Sequence, residues 1–219
     1  MSKKFIVGID EVGRGPLAGP VVVCAVAMPT NLKSITYNLK TKLRDSKKLS
    51  PRQRELWFKY LTQHPKISYA LAKVYPKTID RINISRAANL ATLRAFNKLT
   101  SNTYNLKPKN CRIYLDGGLY LGNSESLRRR RILLRRKIAN CKSIEAKTII
   151  KGDEKIIAIK IASIIAKVSR DRLMKKIAKK YPRYGFEIHK GYGTKIHLTA
   201  LKKFGPSEIH RQSFLRFLK

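Results

Sequence analysis

Acidic residues are scarce in this sequence. Asp and Glu together number 13 against 49 Lys and Arg, which gives a formal net charge of +36 at pH 7. A chain with so much positive charge repels itself, and such a charge is usually tolerated when the partner is a polyanion. Nucleic acid is the first candidate partner and an anionic membrane surface the second. A generally basic proteome would also explain the size of the charge, but not the places where the few acids cluster.

Long apolar runs and paired cysteines are also lacking. The longest apolar run, Val21 to Met28, has eight residues, whereas a helix needs roughly 20 to span a bilayer. The first four residues contain no apolar segment typical of a signal peptide. The three cysteines have no CxxC spacing, which favours reduced thiols over a disulfide framework or a zinc site. We therefore expect a cytoplasmic protein that does not associate with membranes.

The apolar content is high enough for a folded core. Of the 219 residues, 43% are hydrophobic, which excludes a disordered chain and fits one large domain or a domain with an appendage. Apolar periodicity, caps and breakers predict strands at 5–9, 20–28, 67–75, 112–115 and 148–151, and helices at 51–61, 83–99, 154–180 and 195–204. This arrangement predicts an α/β fold in which helices pack on a sheet. We expect the core in residues 1–180 and a small C-terminal helical lobe in residues 181–219.

Four of the few acids stand at or just beyond the ends of predicted strands: Asp10, Glu11, Asp116 and Asp153. Carboxylates clustered in this way offer hard oxygen ligands to a divalent metal. Neighbouring strand residues point to opposite faces, so Asp10 and Glu11 can both be ligands only if the strand ends or bulges there. Each acid also has a plainer interpretation: a surface turn for the first two, an Asp-Gly turn for Asp116 and a helix N-cap for Asp153.

A glycine-rich turn follows the first two acids. Gly13 and Gly15 flank Arg14, and glycine lets backbone N–H groups come close to a phosphate. The plainer interpretation is a tight turn that requires positive φ angles. A tight turn is part of the explanation in either case, and both interpretations stay open at this point.

The segment Asp10–Pro20 resembles the opening signature of the ribonuclease HII family. Further blocks resemble that family in the same order: Asp45–Leu49, Ile79–Ile84, Leu115–Gly117, Lys151–Asp153, Ala162–Val168, Arg170–Asp171, Gly191–Thr194, His197, Gly205–Pro206 and His210–Phe214. Ordered blocks of this kind are far more specific than a single motif. The resemblance runs from about residue 5 to about residue 214. It implies a ribonuclease H-like fold, with a mixed sheet flanked by helices.

The resemblance also implies an activity and a cofactor. Asp10, Glu11, Asp116 and Asp153 would form a catalytic tetrad that binds two Mg²⁺ or Mn²⁺ ions. The enzyme would cut on the 5′ side of ribonucleotides, both in RNA/DNA hybrids and at single ribonucleotides in duplex DNA, and leave 3′-hydroxyl and 5′-phosphate ends. We expect it to act as a monomer.

Substrate contacts follow from the same resemblance. The backbone of Gly13 and Gly15 would read the 2′-hydroxyl, the group that separates RNA from DNA, and Arg14 would contact phosphate. Tyr192 would pack against the neighbouring deoxynucleotide. Three further residues would lie along the substrate backbone: Lys47, Ser163 and Lys167. Without the family blocks, each of these would be interpreted as an ordinary loop, seam or capping residue.

Residues 119–148 depart from the family pattern, which usually joins the flanking strands with less chain. This enlarged loop has nine Lys and Arg residues, including the run Arg128–Arg131. Solvent exposure and phosphate contact are both open interpretations of that run. A non-catalytic nucleic-acid-binding protein on a nuclease scaffold is the alternative function, and the acids present at all four positions argue against it.

Overall fold

The computed structural model describes residues 4–32, 43–44, 46–121 and 146–218. The strands are β1 (Phe5–Val12), β2 (Val21–Pro29), β3 (Ser68–Val74), β4 (Cys111–Asp116) and β5 (Ala146–Ile149). The α-helices are α1 (Pro51–Gln63), α2 (Pro76–Ile82), α3 (Ile84–Asn102), α4 (Gly152–Lys155), α5 (Ile157–Lys180), α6 (Phe186–His189) and α7 (Lys195–Phe204). Short 3₁₀ helices lie at Ser46–Lys48, Pro108–Asn110, Pro182–Tyr184, Gln212–Phe214 and Arg216–Leu218.

The strands form one mixed sheet in the order β3-β2-β1-β4-β5. β1 pairs antiparallel with β2, and β2 with β3, whereas β4 runs parallel to both β1 and β5. The predicted hairpin of the first two strands and the predicted mixed sheet are therefore confirmed. None of the described helices is both long and apolar enough to cross a bilayer.

Helices cover both faces of the sheet. On one face α3 packs its alanines, among them Ala88 and Ala91, against Val7 and Ile9 of β1. On the other face α5 and α1 enclose a second apolar cluster. Gly8 allows α5 to come close, because a Cβ built there would lie 2.2 Å from the carbonyl carbon of Ala158. This contact fixes α5 beside the middle of β1.

A third apolar cluster joins the C-terminal lobe to the rest of the chain. Met174 and Ala178 at the end of α5 pack with Phe186 and Leu201 of the lobe, and Ala18 of the glycine-rich turn belongs to the same cluster. The lobe is thus seated on α5 and on the turn. The boundary at residue 180 stays a prediction.

Several predicted bounds were wrong. β1 does not end before the acids but pairs without a bulge from Phe5↔Pro29 to Val12↔Val22. The long helix predicted from residue 154 is divided, because α4 ends at Lys155 and α5 begins at Ile157. β5 lies two residues earlier than the predicted strand at 148–151, and α2 was not predicted. Most of the enlarged basic loop, residues 122–145, lies outside the described residues.

Candidate active site

Three carboxylates meet where β1 passes the end of β4. The parallel pairing of these strands extends to Ile9↔Leu115, and the next residues along the two strands are Asp10 and Asp116. In the described residues, Asp10, Glu11 and Asp116 form a group whose ligand oxygens all lie within 4.8 Å of one another. Such a group suits a divalent cation.

Asp10 and Glu11 reach this point from opposite faces of an unbroken strand. Asp10 shares the face of Gly8 and α5 and accepts a hydrogen bond from Ser163 of that helix. Glu11 shares the face of Ile9 and α3. β1 shows no bulge here, but it ends at Val12, the residue directly after Glu11, so the two acids do converge at a strand end as expected. The pairing of β1 with β4 ends at Ile9, directly before the two acids.

The carboxylates strongly disfavour each other's charge. Burial, then the charges of Glu11 and Asp116, raise the pKa of Asp10 well above its ordinary value. Burial raises the pKa of Glu11 to about 7, with Arg14 opposing the shift and Asp116 adding to it. Hydrogen bonds from the Glu11 N–H (2.7 Å) and from Ser163 favour the ionised form of Asp10 but do not cancel the repulsion. A bound cation would relieve it.

The donor set fits a hard divalent metal. The Oε2 atom of Glu11 is buried and has no hydrogen-bond partner among the described residues. A buried acceptor without a partner is rare and costly, and a metal ion would supply the missing partner. All the oxygens in the group come from carboxylates, the ligands that Mg²⁺ and Mn²⁺ prefer.

Asp153 lies beside this group but not in it. It is buried in α4, and its Oδ2 is 3.7 Å from Nζ of Lys47. The preceding residue, Gly152, donates its N–H to Asp116 Oδ1 at 2.7 Å, which fixes α4 to the acidic group. The N-cap positions of α4 and α5 are Lys151 and Ile156, so the N-cap interpretation of Asp153 was wrong. Its role as a metal ligand stays a prediction.

The glycine-rich turn borders the acids through Arg14. Its guanidinium lies 3.3 Å from Glu11 Oε1 and donates to Ser85 Oγ at 3.2 Å. Gly13 has a φ of +90°, as the turn interpretation predicts, whereas Gly15 has no positive φ. A Cβ at Gly15 would meet only the Tyr192 ring, at 4.0 Å. Gly15 therefore leaves open space in front of the turn.

Tyr192 stands across that space. Its side chain is 40% exposed, and Arg170 lies behind the ring at 5.9 Å from the centroid. The preceding carbonyl, Gly191 O, accepts hydrogen bonds from the N–H groups of Leu17 (2.8 Å) and Ala18 (3.3 Å). These bonds hold the Tyr192 segment directly against the glycine-rich turn.

The other predicted substrate residues divide into two groups. Ser163 is buried between Asp10 and Ser46, whose hydroxyl lies 2.8 Å from its own, so the structure places it under the acids. Lys47 reaches Asp153 with a side chain that is 83% exposed. Lys167 pairs with Asp171 at 3.0 Å, and its contact with substrate stays a prediction.

Two functional candidates were missed by the sequence interpretation. Arg170 and Arg211 are fully buried behind the glycine-rich turn, and their guanidinium groups donate to its carbonyls. Both stand in blocks that resemble the family. In a chain with 49 Lys and Arg, however, the presence of an arginine does not by itself indicate a functional role. Only the fold shows which arginines are buried.

Comparison with known families agrees with this site. The family profile described as ribonuclease HII matches residues 7–217. This chain belongs to the ribonuclease HII family. It is 44% identical to ribonuclease HII of Caldicellulosiruptor bescii over 97% of this chain and 87% of that protein. It is 41% identical to ribonuclease HII of Chlamydia muridarum over 95% and 81%, respectively.

Solved structures agree in fold. Ribonuclease H2 of Pyrococcus horikoshii superposes with a TM-score of 0.66 at 29% identity, covering 95% of this chain and 93% of that one. Bst-RNase HIII in complex with Mn²⁺ gives 0.67 at 16% identity, covering 97% and 67%, a likeness of fold alone. Membership of the ribonuclease HII family makes this chain an endoribonuclease with a ribonuclease H-like fold, and the buried acidic group supports divalent-metal binding.

Proposed function

We propose that this endoribonuclease hydrolyses the phosphodiester on the 5′ side of a ribonucleotide and leaves 3′-hydroxyl and 5′-phosphate ends. Its substrates are RNA/DNA hybrids and duplex DNA that carries single ribonucleotides. The observation that carries the proposal is the approach of the glycine-rich turn to the acids, where Arg14 lies 3.3 Å from Glu11. A turn suited to reading one sugar thus borders a group suited to cutting at that sugar.

The metal would be held by Asp10, Glu11 and Asp116, with Asp153 as the fourth ligand. Two Mg²⁺ or Mn²⁺ ions supply an activated water and a stabilised leaving oxygen in phosphodiester hydrolysis. The chain itself orients the carboxylates for metal binding through hydrogen bonds. Ser163 and the Glu11 N–H orient Asp10, and the Gly152 N–H orients Asp116.

The remaining residues place the substrate. The backbone of Gly13 and Gly15 contacts the 2′-hydroxyl, because no side chain blocks its approach. Arg14 contacts a phosphate, and Tyr192 offers an aromatic face to the deoxynucleotide on the 3′ side. The exposed Lys47 and the partly exposed Lys167 contact backbone phosphates. A cytoplasmic location and a monomeric state stay predictions.

A defined duplex tests the proposal. A labelled DNA duplex with one ribonucleotide is incubated with and without Mg²⁺, beside an RNA/DNA hybrid and an all-DNA duplex of equal length. We expect Mg²⁺-dependent cutting on the 5′ side of the single ribonucleotide and none of the all-DNA duplex. Cutting of the hybrid alone would replace the proposal with a generic hybrid nuclease, and binding without cutting would favour a non-catalytic protein.

A further inference from the structure

Two buried guanidinium groups support the glycine-rich turn from behind. Arg211 donates from Nη2 to Gly13 O (2.6 Å), from Nη1 to Arg14 O (2.8 Å), and from Nε and Nη2 to Gly19 O (3.0 and 2.8 Å). Arg170 donates to Pro20 O (3.0 Å) and Ala18 O (3.2 Å). Five carbonyls of the turn therefore face the protein interior.

These arginines have no carboxylate partner in the described residues. Neither guanidinium is within 4.0 Å of a carboxylate oxygen there, although both side chains are fully buried. Burial and the nearby Arg170 charge lower the pKa of Arg211 to about 9. Burying a charge without a counter-ion is expensive. All four hydrogen bonds of Arg211 go to carbonyls of one turn, which points to a requirement for the shape of that turn.

The orientation of the carbonyls fixes the orientation of two N–H groups. In a planar trans peptide, the C=O of one residue and the N–H of the next point in opposite directions. Because Gly13 O and Arg14 O point at Arg211, the N–H groups of Arg14 and Gly15 point away from it. Neither N–H has an acceptor among the described residues. Two adjacent free N–H groups form a concave donor pair for an oxygen ligand.

We propose that Arg211, supported by Arg170, is a positioning residue for ribonucleotide recognition. It holds the Gly13 and Arg14 carbonyls inward, so that the N–H groups of Arg14 and Gly15 are presented to the 2′-hydroxyl and its neighbouring phosphate. The inference rests on the proposed function, in which this backbone reads the sugar, and assigns the residue that sets its geometry.

Asp80 supports the segment that directly follows Arg211. Its carboxylate, carried by α2, accepts the N–H groups of Gln212 and Ser213 at 3.0 Å each, together with the Ser213 hydroxyl. These bonds fix the two residues that follow Arg211. Asp80 therefore restrains the guanidinium through the chain, without touching the turn itself.

The test compares Arg211→Lys with Arg172→Lys. Lysine keeps the charge, but a single ammonium group cannot reproduce the planar fork that spans three carbonyls. Arg172 is exposed and pairs with Glu55, so it serves as the matched control. For each protein, kcat/KM is measured on a single-ribonucleotide duplex and Kd on an all-DNA duplex of the same sequence, with folding followed by circular dichroism.

We expect kcat/KM of folded Arg211→Lys to fall by at least about tenfold, as lost hydrogen bonds to a charged group predict. Kd for all-DNA should stay within about twofold of wild type, because the turn supplies only a small part of the phosphate attraction of a chain with a net charge of +36. A merely structural role would lower kcat/KM and raise the apparent Kd in the same proportion, because both follow the folded fraction. That result, or unchanged kcat/KM, would overturn the proposal.

Asp80→Ala decides the matter if Arg211→Lys does not fold. It removes no buried guanidinium, and the same pattern is expected with a smaller loss of kcat/KM, about threefold. A folded Asp80→Ala with wild-type kcat/KM would overturn the positioning role. A wild-type enzyme that cuts no ribonucleotide substrate would instead refute the proposed function, so the two failures are distinguishable.

Discussion

The backbone N–H of Gly152 donates to Oδ1 of Asp116 at 2.7 Å, so one oxygen of this carboxylate in the acidic group also anchors α4. An asparagine at residue 116 keeps an oxygen in that position and loses only the charge. We therefore expect Asp116→Asn to fold normally and bind duplex, while its cleavage rate falls by more than about 100-fold, beyond the range for loss of an outer partner. Gel assays of the single-ribonucleotide duplex measure the rate.

Thermal unfolding adds a second readout of the same change. In EDTA the melting temperature of Asp116→Asn should equal or exceed that of wild type, because one repelling charge is gone. Mg²⁺ or Mn²⁺ should raise the melting temperature of wild type but not of the variant, since a ligand stabilises only the state that binds it. Glu55→Gln, an exposed acid outside the group, is the control. Wild-type turnover in Asp116→Asn would refute the metal assignment.

The two glycines of the turn should respond differently to alanine. Gly13 has a φ of +90°, and a Cβ there would lie 2.3 Å from Arg170 Nε, so Gly13→Ala should lower the free energy of unfolding by about 1–3 kcal/mol or more. Gly15→Ala meets only the Tyr192 ring at 4.0 Å and should change stability by less than about 0.5 kcal/mol.

Activity should still fall in the stable glycine variant. A side chain at residue 15 occupies the space where a sugar would approach the turn, so kcat/KM should fall in Gly15→Ala and further in Gly15→Val. Urea denaturation and ribonucleotide cleavage measure the two effects separately. Full activity in Gly15→Val would show that the backbone there does not contact the substrate.

The outline of the fold was predictable because it depends on local patterns. The β-branched run of β2, the Ser50–Pro51 helix start and the Asn83 cap are all where the sequence indicated. The break between α4 and α5 was not predictable, because the residue at the break, Ile156, is neither Gly nor Pro. It is imposed by tertiary contacts such as the Gly152–Asp116 hydrogen bond.

The candidate site was predictable in its residue types and less so in its geometry. Alternation along a strand separates Asp10 from Glu11, and no sequence rule shows that the pairing of β1 with β4 ends at Ile9, directly before these acids. The roles of Arg170 and Arg211 depend on contacts across about 150 and 190 residues of chain, respectively. Contacts of that separation leave no periodic signal in the sequence.

Tyr192 should matter more for recognising the junction than for cutting. Tyr192→Ala removes the aromatic face beside Gly15, so kcat/KM on the single-ribonucleotide duplex should fall roughly tenfold, in the range of one aromatic stack. Activity on a continuous RNA strand in a hybrid should fall less. Tyr104→Ala, an exposed tyrosine just beyond the far end of α3, is the control. An equal loss on both substrates would contradict the junction role.

Salt dependence tests the basic loop, whose run Arg128–Arg131 lies outside the described residues. The net charge of +36 predicts that duplex binding weakens steeply with salt. Changing all four arginines to Ala should lower the slope of log K against log salt by up to about 3.6, at roughly 0.9 for each phosphate contact. Fluorescence anisotropy from low to moderate salt measures the slope. An unchanged slope would show that these four arginines do not contact phosphates of the duplex.

A chain of hydrogen bonds through two buried histidines ends on the Tyr192 backbone. The Ser207 N–H donates to His210 Nδ1 (2.9 Å), the Nε2 atoms of His210 and His197 lie 3.0 Å apart, and His197 Nδ1 lies 2.9 Å from Tyr192 O. One assignment of protons satisfies all three bonds: His210 donates from Nε2 and His197 from Nδ1. Both rings are neutral in that assignment.

Acid should therefore destabilise the lobe. Burial, and then the neighbouring titratable ring of His197, lower the pKa of His210 from 6.5 to about 4. Between these values the unfolded chain binds a proton that the folded chain does not, so the free energy of unfolding falls as pH falls from 6.5 towards 4. For His210 alone the loss between pH 7 and pH 5 is about 2 kcal/mol. His210→Gln keeps a donor but cannot titrate, so its urea denaturation should lack this part of the pH dependence. Parallel curves for wild type and variant would show that His210 is not kept neutral by the fold.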